Sequence, residues 1–123
     1  MKLKLHSKSH RSALDRKYPH CRVYVIELCP KVLNHRGFRD ANPHYVEGKA
    51  CIYVGMTSLT PEQRFQNHLT GIRFPSEIVR RFGVALRQEL LPYITAKPRS
   101  KAMKQEREIA RHLRASGMGV WQG

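Results

Sequence analysis

Glu106 stands where a charge is hardest to accommodate. Met103, Ala110 and Leu113 lie three, four and seven positions from it, a spacing that draws one helical stripe. A carboxylate on that apolar stripe faces inward, where an unpaired charge is costly. A bound cation, an internal salt bridge to an arginine or an upward pKa shift would each answer the problem. Glu108, flanked by Arg107 and lying near Arg111, points away as a solvated residue would. Arg64 and His68 are four apart and share a helical face, setting a fork of donors suited to phosphate beside an imidazole. Tyr24 and Tyr53 lie in two separate apolar segments. Strand tyrosines most often pack a core edge, but their hydroxyls can also serve a site.

The elements that must position these residues are partly legible. Arg22-Val-Tyr-Val-Ile-Glu-Leu28 is rich in β-branched and aromatic residues, which marks a strand. Tyr24, Ile26 and Leu28 then share one face, with Val23 and Val25 on the other. Ala50-Cys-Ile-Tyr-Val-Gly55 reads as a second strand, and a hairpin pairing can bring the two tyrosines to one face once the register aligns them. Thr60-Pro-Glu-Gln63 has the form of a capping box with proline at the first helical position, so a helix is expected from there to about Leu69, ended by Gly71. A helical turn around Ile78 and a strand near residues 82–86 follow. Ser100 is the expected cap of a long helix that stops at Gly117, and residues 119–122 read as a last short strand.

Composition narrows the partner. The 123 residues hold 23 Lys and Arg against 9 Asp and Glu, a formal charge of +14. Repulsion of that size favours a polyanionic partner, and nucleic acid fits best because neutralised phosphates release counterions. No stretch approaches the ~20 apolar residues that span a bilayer, so no membrane partner is expected. The N-terminus lacks the apolar core of a secretory signal, which makes the cytoplasm the default location. Cys21, Cys29 and Cys51 show no C-x-x-C spacing and read as reduced thiols. His6, His10, His20 and Cys21 lack the second tight ligand pair of a zinc site. Residues 1–20 read as a basic arm and 21–123 as one domain, with a polar insertion at about 29–49.

Taken in order, Val23-Tyr24-Val25-Ile26, Tyr53-Val54-Gly55-Met56-Thr57, Arg64-Phe-Gln-Asn-His68 and Glu106 on the long helix resemble the signature of GIY-YIG nucleases. Arg22 stands where the first glycine of the name motif would be, and Val25 where its following tyrosine would be. The resemblance covers about residues 21–123. It implies an α+β domain with a small three-stranded antiparallel sheet flanked by helices, which binds one divalent ion and hydrolyses DNA phosphodiesters. The residues matching the motif are Tyr24, Tyr53, Arg64, His68 and Glu106.

The expected chemistry follows from these groups. A single carboxylate suits Mg²⁺ or Mn²⁺, the former keeping several waters and binding through one or two carboxylates plus substrate phosphate; Glu106 is the metal ligand. Arg64 would bind the phosphate and offset transition-state charge. His68 would orient the water, a tyrosine or the phosphate. Tyr53 is the expected general base with Tyr24 orienting water or phosphate, although the two can exchange roles. Arg22, Arg36, Arg39, His44 and Arg73 are expected DNA contacts, with His35 and Asn42 further candidates on the insertion. One site cuts one strand, so duplex breakage would need a homodimer or a partner protein. The alternative is a non-catalytic basic nucleic-acid-binding protein on the same scaffold.

Overall fold

Two seven-residue strands, β1 (Arg22–Leu28) and β2 (Cys51–Thr57), form the centre of the molecule in a computed structural model, which describes residues 12–123. They run antiparallel and are buried on both faces, as their nearly unbroken apolar runs allow. Tyr24 pairs with Gly55 and Ile26 with Tyr53. The tyrosines are therefore diagonal neighbours on one face, because side chains alternate along each strand.

Around this pair the element order is α1 (Ala13–Lys17), β1, a 3₁₀ turn (Pro30–Asn34), α2 (Arg36–Ala41), β2, α3 (Pro61–Thr70), α4 (Glu77–Phe82), β3 (Gly83–Leu86), a second 3₁₀ turn (Gln88–Leu90), α5 (Arg99–Ala115) and β4 (Gly119–Gln122). The sheet has four strands in the order β3-β1-β2-β4. The expected three-stranded antiparallel sheet thus holds for β3, β1 and β2, and is corrected by β4, which pairs parallel with β2. A parallel neighbour needs a connection that carries the chain back to its starting end. The 17-residue helix α5 supplies the return.

The sheet divides the core into two layers. One holds Tyr24, Ile26, Leu28 and Tyr53 with Val32, Phe38, Ile78 and Val79 beneath α2 and α4. The other holds Val23, Val25, Ile52, Val54 and Val120 against Ala110 and Leu113 of α5. Each large aliphatic or aromatic side chain buried this way is worth roughly 1.5–3 kcal/mol relative to exposure.

Three sequence expectations change. The insertion at 29–49 is folded into the core rather than a solvated loop: Val32 and Phe38 are fully buried, and Asn42 is 5% exposed. The Asn42 amide donates to the carbonyls of Phe38 and Val120, while its oxygen accepts from Val120 N–H and Arg114 Nε. It is a bridge between α2 and β4 and has no donor left for DNA. Within the basic arm, residues 13–17 form α1, whereas residues 1–11, with His6 and His10, lie outside the described residues. Ser100 is not the cap of α5; Pro98 occupies that position. Asp15 instead accepts from Ser100 N–H at 2.7 Å and from its hydroxyl at 2.6 Å, tying α1 to the start of α5. A carboxylate at a helix N-terminus is favoured by the unpaired N–H groups there. Among the described residues, no helix is long and apolar enough to cross a membrane.

Candidate active site

The tyrosine face of the β1–β2 pair is closed by α3. Thr60 and Gln63 cap that helix reciprocally, and Gly71 ends it in the left-handed conformation, as the sequence suggests. This orientation places His68 inward and fully buried. Its Nε2 lies 2.8 Å from Tyr24 Oη. Its Nδ1 accepts the backbone N–H of Ser76, also at 2.8 Å. A neutral ring whose Nδ1 accepts must carry its proton on Nε2, so His68 donates to Tyr24. Burial, then the charge of Arg64, lowers the His68 pKa to about 4, which keeps the ring neutral near pH 7. Of the three roles expected for His68, the geometry fits the orienting of a tyrosine.

Tyr24 passes the polarity on. Contact between the two phenols pushes Tyr24 up and draws Tyr53 down, the pattern of Tyr24 O–H donating to Tyr53 Oη. The rings lie 6.0 Å apart between centroids. Burial is the largest influence on both and raises both phenols. Glu106 raises Tyr53 further by its charge, whereas Arg64 and a hydrogen bond with the Ser76 side chain favour its anion. Both phenols thus have donors beside them, Tyr24 from His68 and Arg64 and Tyr53 from Tyr24 and Ser76, each of which favours the anion.

Gly55 makes this closeness possible. A Cβ there would stand 2.7 Å from Tyr24 Oη and 2.9 Å from Tyr53 Cε2, inside normal contact. Gly123 does the same from the other side, since a Cβ there would fall 2.2 Å from Tyr53 Oη.

Arg64 is half-buried beside Tyr24. Two of its guanidinium nitrogens donate to the carbonyls of Arg73 and Phe74 at 2.8 and 3.0 Å. The guanidinium carries five N–H donors, so it holds this loop and keeps donors for another acceptor.

Glu106 is 6% exposed, on the same stripe as Ala102, Ala110 and Leu113. That stripe lies against the sheet face opposite the tyrosine rings. Glu106 reaches the end of β4, where it hydrogen-bonds Gln122. It acts on Tyr53 through its charge. Burial raises its pKa to about 7, against a downward pull from Gln122 and a smaller one from Arg107. None of the ion pairs among the described residues includes it. The internal arginine salt bridge considered from sequence is therefore not formed among the described residues.

The structure thus brings Tyr24, Tyr53, Arg64 and His68 together and sets Glu106 at their border. Sequence reasoning missed Ser76, which holds His68 with its backbone and touches Tyr53 with its side chain; its place before Glu77 as a helix cap was the available signal. Arg22, Arg36, Arg39, His44 and Arg73 are all exposed. Only Arg73 of these borders the groove of about 460 Å³ at Arg64. Arg36 faces Asp40 at 3.9 Å in a surface pair of little energetic consequence. His35 caps α2 through Nδ1 and packs edge-on against Trp121.

Among the described residues, no three His, Cys, Asp or Glu side chains gather into a ligand cluster. A zinc-type cage would need such a cluster. A hard cation that keeps most of its water needs only one or two carboxylates and a phosphate, and a buried carboxylate without a cationic partner fits that requirement. No family model, curated protein or solved structure matches the chain.

Proposed function

We propose that the chain is a metal-dependent endonuclease that hydrolyses DNA phosphodiester bonds, on a scaffold like that of the GIY-YIG nucleases. The observation that carries this reading is the buried Glu106 carboxylate, in no ion pair among the described residues, acting electrostatically on Tyr53 in a buried Tyr–Tyr–His cluster that the half-buried Arg64 borders. A core built for stability alone would replace such a carboxylate with an apolar side chain.

Glu106 and the substrate phosphate would hold Mg²⁺ or Mn²⁺, which when bound polarises the phosphoryl oxygen and stabilises the leaving oxyanion. The remaining work falls to the protein. Arg64 turns its free donors to the phosphate and offsets the negative charge that builds as water attacks. Tyr53 takes the proton of that water as its phenolate, the form that Arg64 and the contacts with Tyr24 and Ser76 favour against burial. His68 fixes Tyr24 as a donor by occupying its oxygen from the other side. Neutralising Glu106 also removes an influence that holds Tyr53 protonated.

A test uses supercoiled plasmid with and without Mg²⁺ or Mn²⁺. The wild-type protein is expected to nick, since one site cuts one strand and a full break requires a second copy or a partner. Glu106→Gln is expected to bind DNA and not to cut. Undiminished cleavage by that variant removes the metal role. Binding without nicking by the wild type, under every divalent ion, favours the reading as a non-catalytic nucleic-acid-binding protein, which the charge of +14 supports equally.

A further inference from the structure

Between α3 and α4 the chain turns through Arg73 and Phe74, both with left-handed backbones at φ of 57° and 53°. Neither is glycine, and a bulky aromatic in that region is uncommon and costs energy. The Phe74 side chain gains nothing from the fold in return, because it is 96% exposed. The two carbonyls of this turn are the ones Arg64 holds. Arg64 therefore fixes the loop in its strained form and presents an apolar ring to solvent. The same groove is bordered by Tyr18, Arg64, Arg73 and Arg99, so the exposed ring stands among cations.

We propose that Phe74 is a stacking platform for an unpaired base next to the phosphate bound at Arg64, and that single-stranded or branched nucleic acid is therefore preferred over continuous duplex, a supercoiled plasmid being cut where its strands part. This rests on the reading of Arg64 as the phosphate-binding group of a nuclease. An aromatic ring flanked by arginines is the chemistry that recognises a base face and its backbone together. In an intact helix each base face is covered by its neighbours, so an exposed ring on a rigid turn has nothing to stack on. A strand whose bases are splayed out supplies that surface. The backbone hold adds to the effect, since a turn already fixed by Arg64 loses little freedom on binding.

The experiment measures binding rather than cleavage, so that it stands apart from the question of turnover. Full-length protein in EDTA is titrated against labelled oligonucleotides of one sequence as single strand, flap and blunt duplex. Phe74→Ala is expected to weaken single-strand and flap binding on the order of 10-fold, as loss of one stacked base would, with duplex binding unchanged. Phe74→Leu is expected to fall as far as Phe74→Ala, and Phe74→Trp to retain affinity. The salt dependence is expected to keep its slope, since no phosphate contact is removed. Unchanged single-strand affinity in Phe74→Ala, or an equal loss on duplex, overturns the proposal even where the wild type nicks plasmid. Full retention by Phe74→Leu overturns it as well, because simple apolar contact would then suffice. Absence of nicking with the single-strand effect intact counts against the nuclease reading and leaves the platform standing.

Discussion

Tyr24 Oη and His68 Nε2 meet at 2.8 Å across 44 residues of sequence, in a place where both side chains are almost wholly removed from water. The pair locks α3 onto β1. Because Ser76 N–H occupies the other nitrogen, each ring nitrogen of His68 has its own partner.

Tyr24→Phe is accordingly expected to destabilise the fold although it removes one oxygen only. The Nε2–H of His68 loses its acceptor, and a buried donor left unpaired costs about 1–3 kcal/mol. Urea unfolding followed by circular dichroism measures the difference. A midpoint equal to that of the wild type, with unchanged slope, contradicts the hydrogen bond.

The two buried ionisable groups near the site have opposite pH dependence. Glu106 is raised from 4.5 to about 7 in the folded state. The folded protein thus holds an extra proton in that window, and this contribution is full below pH 4.5 and is lost as pH rises through 7. His68 is lowered from 6.5 to about 4. Its contribution is full above pH 6.5 and is lost as pH falls through 4. At about 1.4 kcal/mol per pH unit, each amounts to the order of 3 kcal/mol, and in the wild type they largely cancel. The stability advantage of wild type over Glu106→Gln should shrink from pH 4.5 to 7, while that over His68→Gln should grow from pH 4 to 6.5. Two parallel pH profiles would contradict both assignments.

Gly55→Ala tests the closeness of the tyrosines. Its methyl would meet the Tyr24 hydroxyl carbon and oxygen at 2.7 Å within a packed layer. Overpacking of this kind costs typically about 1–3 kcal/mol, and either phenol can relieve it only by leaving the other. The expected result is a lowered melting temperature together with loss of nicking. A variant that melts and cuts like the wild type would show that the rings have room to part.

Much of this arrangement follows local rules and was legible in the residues. The Thr60–Gln63 box starts α3, the alternation in β1 puts Tyr24 on one face and Val25 on the other, and the stripe around Glu106 turns that carboxylate inward. What escaped depends on contacts distant in sequence. Asp15 meets Ser100 across 85 residues, and Asn42 meets Val120 across 78; a polar residue among polar neighbours carries no sign that it will be buried. The parallel pairing of β4 escaped for the same reason, because four residues set no register of their own. That Glu106 ends at the tip of β4, within reach of Tyr53 by its charge, follows from where α5 docks, which its own periodicity does not specify.

Asn42→Ala separates the structural from the DNA-contacting reading of the insertion. The amide makes four hydrogen bonds linking α2, β4 and Arg114, so its removal strands several buried groups at once. A loss of at least about 2 kcal/mol is expected, with DNA affinity per folded molecule unchanged. Full stability with weakened binding would return Asn42 to the surface role that its sequence suggests.

Arg64→Lys distinguishes a residue that merely supplies charge from one that shapes the site. Lysine keeps the positive charge but offers a single ammonium, without the planar fork that reaches two carbonyls and a phosphate together. The turn at Arg73 and Phe74 would lose the clamp that holds its left-handed backbone. Amide exchange over residues 71–76 should then quicken, while the amides of β1 and β2 keep their protection. Nicking should fall by about 100-fold or more, as for loss of one transition-state donor. Nonspecific duplex binding should change little, because the charge remains. Unaltered exchange in the turn would mean that the loop holds its shape without the guanidinium, and that Arg64 acts on the phosphate alone.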